Sequence, residues 1–176
     1  MRGIDSADAV LVSQAQGGSS DAAAELFRRH WPGAWRAALA VCGSGAVADD
    51  MAQDAFERAF AALASLNGRQ AFGPWVQRIA INRAIDHLRR ERRLGALPDD
   101  LEDPVEWAGA GIGDPAIIAA VAALPPERRL PVLLRYWFDY TPAEIADALR
   151  LPLGTVSSRL ARALGELRLT LGADDA

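Results

Sequence analysis

Helical periodicity stops between Leu94 and Asp114, where glycines, prolines and the acids Asp99, Asp100, Glu102, Asp103, Glu106 and Asp114 run without a single basic residue. A stretch of that composition buries too little apolar surface to pack, so it reads as a flexible or extended connection. The chain on either side must therefore build its own core. Apolar residues recur there at helical spacing, which predicts an all-α protein of two small helical domains, residues 1–94 and 115–176, joined by an acidic linker at 95–114. With 176 residues and 51% hydrophobic content, the chain has material for a core in each.

Tyr140 to Leu171 reads as two consecutive helices joined by a tight turn. Thr141, Pro142 and Glu144 stand as N-cap, first-turn proline and N3 acid, a pattern in which hydroxyl and carboxylate satisfy backbone donors reciprocally. Ile145, Ala146, Ala148 and Leu149 follow as an apolar stripe, Leu151-Pro152 interrupts it, and a second helix restarts near Leu153-Gly154. That helix sets Val156, Leu160, Ala163, Leu164 and Leu167 on one side, with Thr155, Ser157, Ser158, Arg159 and Arg162 mostly on others. A short helix, a turn and a second helix rich in hydroxyls and arginines is how a recognition helix is set in the DNA major groove. An ordinary helical hairpin with a solvated polar face fits the same pattern. Upstream, Ile117 to Leu124 and Glu127 to Phe138 are helical, separated by Pro125-Pro126.

In the first half, Asp5 to Gln16 predicts a short helix that Gly17-Gly18-Ser19-Ser20 stops. The next helix carries Ala23, Leu26, Phe27, Trp31 and Trp35 as core residues and is expected to kink at Pro32-Gly33. A third, from about Ala48 to Leu66, would bury Met51, Ala55, Phe56, Ala59, Phe60 and Leu63. Its other side aligns Asp50, Gln53, Asp54 and Glu57 in one acidic, amide-bearing stripe, which in most helices is simply solvated. Asn67-Gly68-Arg69-Gln70 is a turn, and Gly73-Pro74 opens a fourth helix that runs to about Arg92. There Ile81, Ala84, Ile85 and Leu88 form the apolar arc. Arg78, Asn82, Asp86, Arg89 and Arg93 form the polar one, with Arg83 and Arg90 beside it. Six arginines face two acids between Arg78 and Arg93, so this is the most basic segment of the chain. Its arginines can neutralise phosphates, and Asn82 or Trp75 can meet base edges or faces of an opened strand; a charged solvent face is the plainer alternative.

The formal net charge is -4 and all nineteen basic residues are arginine, so nucleic-acid contact must come from local clusters rather than a global field. The single cysteine, Cys42, lies near Ala40, Val41 and Ala46 as a small buried thiol would. The apolar run Ala9 to Val12 is too short for a signal peptide or membrane span, so a cytoplasmic chain without membrane insertion is expected. Zinc spacing, P-loop and glycine-rich nucleotide fingerprint are all missing, and His30 and His87 have no evident ligand set. The expectation is a non-enzyme with no metal, cofactor or small-molecule substrate.

Two sets of motifs carry a family resemblance. The run Ala48-Asp49-Asp50-Met51-Ala52-Gln53-Asp54-Ala55-Phe56, followed by Trp75-Val76-Gln77-Arg78-Ile79-Ala80-Ile81-Asn82 and Ala84-Ile85-Asp86-His87-Leu88-Arg89-Arg90, resembles region 2 of extracytoplasmic-function (ECF) RNA polymerase sigma factors. Leu124-Pro125-Pro126-Glu127-Arg128, Leu133-Leu134-Arg135-Tyr136, Ala143-Glu144-Ile145-Ala146 and Gly154-Thr155-Val156-Ser157-Ser158-Arg159-Leu160-Ala161-Arg162-Ala163 resemble region 4. Their order is the family's, and they span nearly the whole chain.

The resemblance implies that Asp50, Gln53, Asp54 and Glu57 dock on the clamp of the large polymerase subunit, with the flap as a further contact. It implies that the segment from Leu66 to Phe72, with Asn67, Gly68, Arg69 and Gln70, and the arc of Trp75, Arg78, Asn82, Arg83, Asp86, Arg89, Arg90 and Arg93 capture the minus-ten strand. Thr155, Ser157, Ser158, Arg159 and Arg162 would read the minus-thirty-five duplex. Ser157 stands where relatives commonly carry lysine or arginine, and Ala161 where many carry a larger side chain, which predicts a weaker hold on duplex DNA. Arg150 fills a turn position often held by glycine, at a cost of about 1 kcal/mol if the turn is left-handed. The acidic linker would thread through polymerase toward the active centre. Only Gly172 to Ala176 follow the last helix, so control is expected from a separate anti-sigma factor. Two other functions fit parts of the pattern: a polymerase-independent helix-turn-helix regulator, which leaves the first half unused, and a protein-binding adaptor, which leaves the arginine arc unused.

Overall fold

The computed structural model describes residues 6–66, 71–94 and 114–172, and of Ser6 and 92–94 the backbone alone. Among the described residues there are eight α-helices and no strand. They belong to two compact units, Met1–Leu97 and Pro98–Ala176.

In the first unit, α1 (Ser6–Gln16), α2 (Ser20–Cys42), α3 (Gly45–Ala61) and α4 (Phe72–Leu94) pack around α2, with a 3-10 turn (Leu63–Ser65) after α3. The Ser19 hydroxyl caps α2 by accepting from the Ala22 amide, and Gly43 ends it in a left-handed conformation at φ 72. Alanines set the spacing of this bundle. Ala34, Ala37 and Ala38 on α2, Ala48, Ala52, Ala55 and Ala59 on α3, and Ala80 and Ala84 on α4 are all fully buried. Two glycines mark where α2 and α4 come closest: a Cβ on Gly33 would stand 2.6 Å from the Gln77 amide, and one on Gly73 would stand 2.7 Å from His30 Nδ1. Leu26, Leu39, Phe72, Val76 and Ile81 fill the remaining space, each stabilising by roughly 1.5–3 kcal/mol through removal from water. Asp8 is buried and ties α1 to α2, receiving His30 Nε2 at 2.7 Å and Arg29 Nη1 at 3.5 Å.

Several sequence expectations need correction. Phe27 is 37% exposed, and Trp31 and Trp35 are half-buried, while Ala34, Ala37 and Ala38 take fully buried positions of the same helix. Phe27 and Phe56 approach to 4.7 Å, and the ring cluster continues through Phe60, Phe72 and Trp75, with Phe56 and Phe72 buried and Phe60 and Trp75 half-buried. Helix α2 runs through Pro32-Gly33 without interruption. Helix α3 begins at Gly45 and ends at Ala61, so Ala48 and Ala52 take the buried stripe while Met51 and Phe60 flank it. Cys42 is buried as expected; burial pushes its thiol pKa up, and its Sγ points to the Ser44 carbonyl.

The second unit comprises α5 (Pro115–Ala122), α6 (Pro126–Tyr136), α7 (Pro142–Leu149) and α8 (Leu153–Gly172), with α8 touching the other three. Ile118, Val121, Leu133, Leu134, Ile145, Val156, Leu160, Ala163 and Leu167 are its core. Asp114 belongs to this unit and not to the connection: its carboxylate accepts from the Ala116 amide at 2.8 Å and caps α5, with Pro115 in the first turn. The rest of the acidic stretch, 95–113, lies outside the described residues.

Candidate polymerase and nucleic-acid interfaces

Helix α3 presents Asp50, Gln53 and Glu57 to solvent, with Gln53 Nε2 donating to Glu57 Oε1 at 3.3 Å. Asp54 shares that stripe but is half-buried and already engaged. Its Oδ1 accepts from Arg58 Nε at 2.9 Å, and its Oδ2 accepts from Arg83 Nε on α4. Burial pushes the Asp54 carboxyl pKa up, but the hydrogen bonds and charges of Arg83 and Arg58 outweigh it and hold it below the ordinary carboxylate value. Arg58 joins the site from outside the predicted stripe, and its i+4 spacing from Asp54 is the usual signal for such a pair.

On α4, Trp75, Arg78, Asn82, Asp86 and Arg89 follow one another at helical spacing along one face. Asn82 and Arg90 are exposed; Trp75, Arg78, Arg83, Asp86 and Arg89 are half-buried. Trp75 packs edge-on against Phe72 with centroids 6.0 Å apart, so its ring is braced from behind. Asp86 holds Arg89 Nη1 at 3.0 Å and lies 3.6 Å from Arg83 Nη1, which places an acid between two arginines of the arc. Arg83 is therefore turned toward carboxylates on α3 and α4. Asn67, Gly68, Arg69 and Gln70, and the side chain of Arg93, lie outside the described residues, while Leu66 and Phe72 on either side of that segment are buried.

The pair α7 and α8 forms as its sequence dictates. Thr141 Oγ1 accepts from the Glu144 amide at 3.2 Å, and Glu144 Oε2 accepts from the Thr141 amide at 2.8 Å, a complete capping box. Arg150 takes the left-handed turn conformation at φ 52, ψ 47, and its amide donates to the Ala146 and Asp147 carbonyls. Leu151 then bonds back to Ala146 and α8 begins. Ser157, Ser158, Ala161 and Arg162 are exposed on its first turns and Thr155 is half-buried, with Ser158 Oγ donating to the Thr155 carbonyl at 2.9 Å. Arg159 is half-buried and turns toward α6. Pro131 has no N–H to give the Glu127 carbonyl within α6, and Arg159 Nη1 reaches that carbonyl at 3.4 Å. Arg128 pairs with Glu166 beside it, so two arginines brace α8 against the start of α6.

The sigma-70 region 2 family matches residues 26–94, and the sigma-70, region 4 family matches residues 115–167. The ECF RNA polymerase sigma factor SigM of Mycobacterium tuberculosis is 34% identical over 168 residues, covering 94% of this chain and 85% of that protein. This chain belongs to the ECF RNA polymerase sigma factors. SigW of Bacillus subtilis, another ECF sigma factor, is 26% identical over 91% of this chain and 94% of its own length. Among solved structures, CnrH in complex with the cytosolic domain of CnrY has 28% identity and a TM-score of 0.56, covering 96% of this chain and 99% of CnrH. The sigma factor RpoE of Bartonella quintana, solved with the anti-sigma factor NepR, shares the fold at 19% identity and a TM-score of 0.53. As an ECF sigma factor, the chain carries its region 2 match on the unit of α1 to α4 and its region 4 match on the unit of α5 to α8. Helix α1 precedes the region 2 match altogether. No described helix is long and apolar enough to cross a membrane, and the described residues contain no grouping of side chains that could hold a metal.

Proposed function

We infer that the chain is an alternative sigma factor: it binds core RNA polymerase, directs it to particular promoters and assists DNA melting, with no covalent chemistry of its own. One observation carries this reading, the presence in a single chain of both sigma regions, in the family's order and each on its own helical unit. A polymerase-independent regulator has no use for the region 2 unit, and a protein-only adaptor none for a capped helix-turn-helix.

Within that function we assign Asp50, Gln53, Asp54 and Glu57 to the polymerase clamp, since their shared face suits a basic partner. Trp75, Arg78, Asn82, Arg83, Asp86, Arg89, Arg90 and Arg93, with the segment 67–70, serve the minus-ten strand. Capturing a base that has left the stack offsets the few kcal/mol that unstacking costs and so favours the open duplex. Thr155, Ser157, Ser158 and Arg162 serve the minus-thirty-five element, with Arg159 holding α8 in place for them. The domains are residues 1–94 and 115–176, and 95–114 is the linker apart from the cap at Asp114. Work on chromosomal promoters places the chain in the cytoplasm. A separate anti-sigma factor is the controlling partner; RpoE of Bartonella quintana, which shares the fold, was solved with the anti-sigma factor NepR, and CnrH with the cytosolic domain of CnrY.

Reconstituted run-off transcription tests the function directly. Core polymerase plus this chain, with genomic fragments as template, should give discrete transcripts that core alone does not. Tight binding to duplex fragments without core, and no transcript with it, would replace this reading by the regulator.

A further inference from the structure

Arg83 is the point at which the polymerase-facing stripe and the promoter-facing arc touch. Its Nε donates to Asp54 Oδ2 on α3, and its Nη1 lies 3.6 Å from Asp86 Oδ2 one turn along α4. Asp54 gives its other oxygen to Arg58 at 2.9 Å, and Asp86 gives its other oxygen to Arg89 at 3.0 Å. Five charged side chains thus form a continuous relay across the seam between two helices, and Arg83 joins its halves. A planar fork with several donors suits two carboxylates on different helices better than a single point of charge does.

Both oxygens of Asp54 are therefore occupied by the chain's own cations. A basic group arriving from outside gains little at such a carboxylate, because attraction to it is offset by repulsion from the two arginines already there. It gains more by taking one of their places. Arg83, which has Asp86 as a second partner, is the arginine that can yield without losing its own compensation.

We propose that Arg83 is a positioning residue that occupies Asp54 until polymerase does. Docking at α3 exchanges the partner of Asp54, the released guanidinium settles on Asp86, and the charge of the α4 arc is reset where the promoter strand is captured. The two sites then become coupled, and by linkage a captured strand strengthens polymerase binding in the same proportion. This inference rests on the assignment of the α3 stripe to the clamp, and it moves Arg83 out of the set of direct DNA contacts.

The test uses holoenzyme reconstituted from core polymerase and the full chain carrying Arg83→Gln or Arg83→Lys. Arg83→Gln should bind core about two- to fivefold tighter at low salt, the range expected for removing a part-exposed competing ion pair. It should also lower permanganate reactivity of the promoter. In an Asp54→Asn background it should change core affinity no further. Arg83→Lys, with one point of charge for two carboxylates, should lie between; it also carries the comparison if Arg83→Gln does not fold. The salt dependence of promoter-fragment binding should keep its slope in Arg83→Gln, whereas Arg90→Gln should lower it by about one. Unchanged or weaker core affinity in a variant with wild-type melting temperature overturns the proposal, as does a slope lowered by about one. Asp50→Arg separates the two levels. If it leaves core affinity intact, the assignment of α3 fails and this proposal with it; if it weakens core binding while Arg83→Gln does not tighten it, the assignment stands and the exchange is wrong.

Discussion

Gln16 Nε2 donates to the carbonyl oxygen of Leu66 at 3.1 Å, and to that of Leu63 at 2.9 Å, so one side chain at the end of α1 closes the 3-10 turn that follows α3. Gln16→Ala leaves both carbonyls without this donor and should cost about 1–2 kcal/mol, seen as a lower urea midpoint with unchanged slope. Gln16→Glu should cost more, since an ionised carboxylate is acceptor-only and would face two carbonyl oxygens. Equal midpoints for the two variants would show that the amide is a bystander.

Asp54 gives the fold a defined response to acid. Its folded pKa lies below the ordinary 3.8, so the stability it contributes is fully present above that value and is lost as pH falls through the lower folded value. Urea midpoints of the wild type and Asp54→Asn should differ by a constant amount from pH 8 to about 5, and the gap should close as pH falls below 3.8. A gap that persists in acid would trace the effect to shape rather than charge.

Asn82 and Arg78 are proposed to act after the closed complex has formed. Alanine at either position should reduce permanganate footprints of the opened strand by more than it reduces closed-complex formation measured on duplex. Parallel losses would make α4 a general phosphate-binding helix.

Arg150 stands in the left-handed region at φ 52, where a side chain crowds its own carbonyl. Arg150→Gly should raise the stability of the second unit by up to about 1 kcal/mol and leave promoter preference unchanged. A fall in stability would mean that the arginine makes a contact worth more than the strain.

What the sequence reveals and what it conceals divide by distance along the chain. The box of Thr141 and Glu144, the stop at Leu151-Pro152 and the stripe of α8, where Val156, Leu160, Ala163 and Leu167 are buried and Leu164 half-buried, depend on neighbours within a few residues. Asp114 was also readable locally, as an Asp-Pro helix start, but the run of acids before it drew it into the linker. The link from Arg83 to Asp54 spans 29 residues and that from Arg159 to Glu127 spans 32, and no local pattern signals either. The placement of the aromatic rings is equally non-local. Whether Phe27 or an alanine occupies the core depends on how closely α2, α3 and α4 approach, which is a property of all three together.

Helix α3 starts differently from its neighbours. Ser19, Asp114 and Thr141 each lend a side-chain oxygen to the helix that follows, whereas the Ser44 hydroxyl makes no such bond to any described residue. The first helical bond there runs from the Ala48 amide to the Ser44 carbonyl, which leaves the amides of Gly45, Ala46 and Val47 to water. Deuterium should enter α3 at this end earlier than it enters α2 or α7, and Asp49 and Asp50 stand just beyond the fraying turn. Whatever docks beside Asp50 can therefore gain twice, once from the charge it neutralises and once from winding tight a turn that the chain by itself leaves loose.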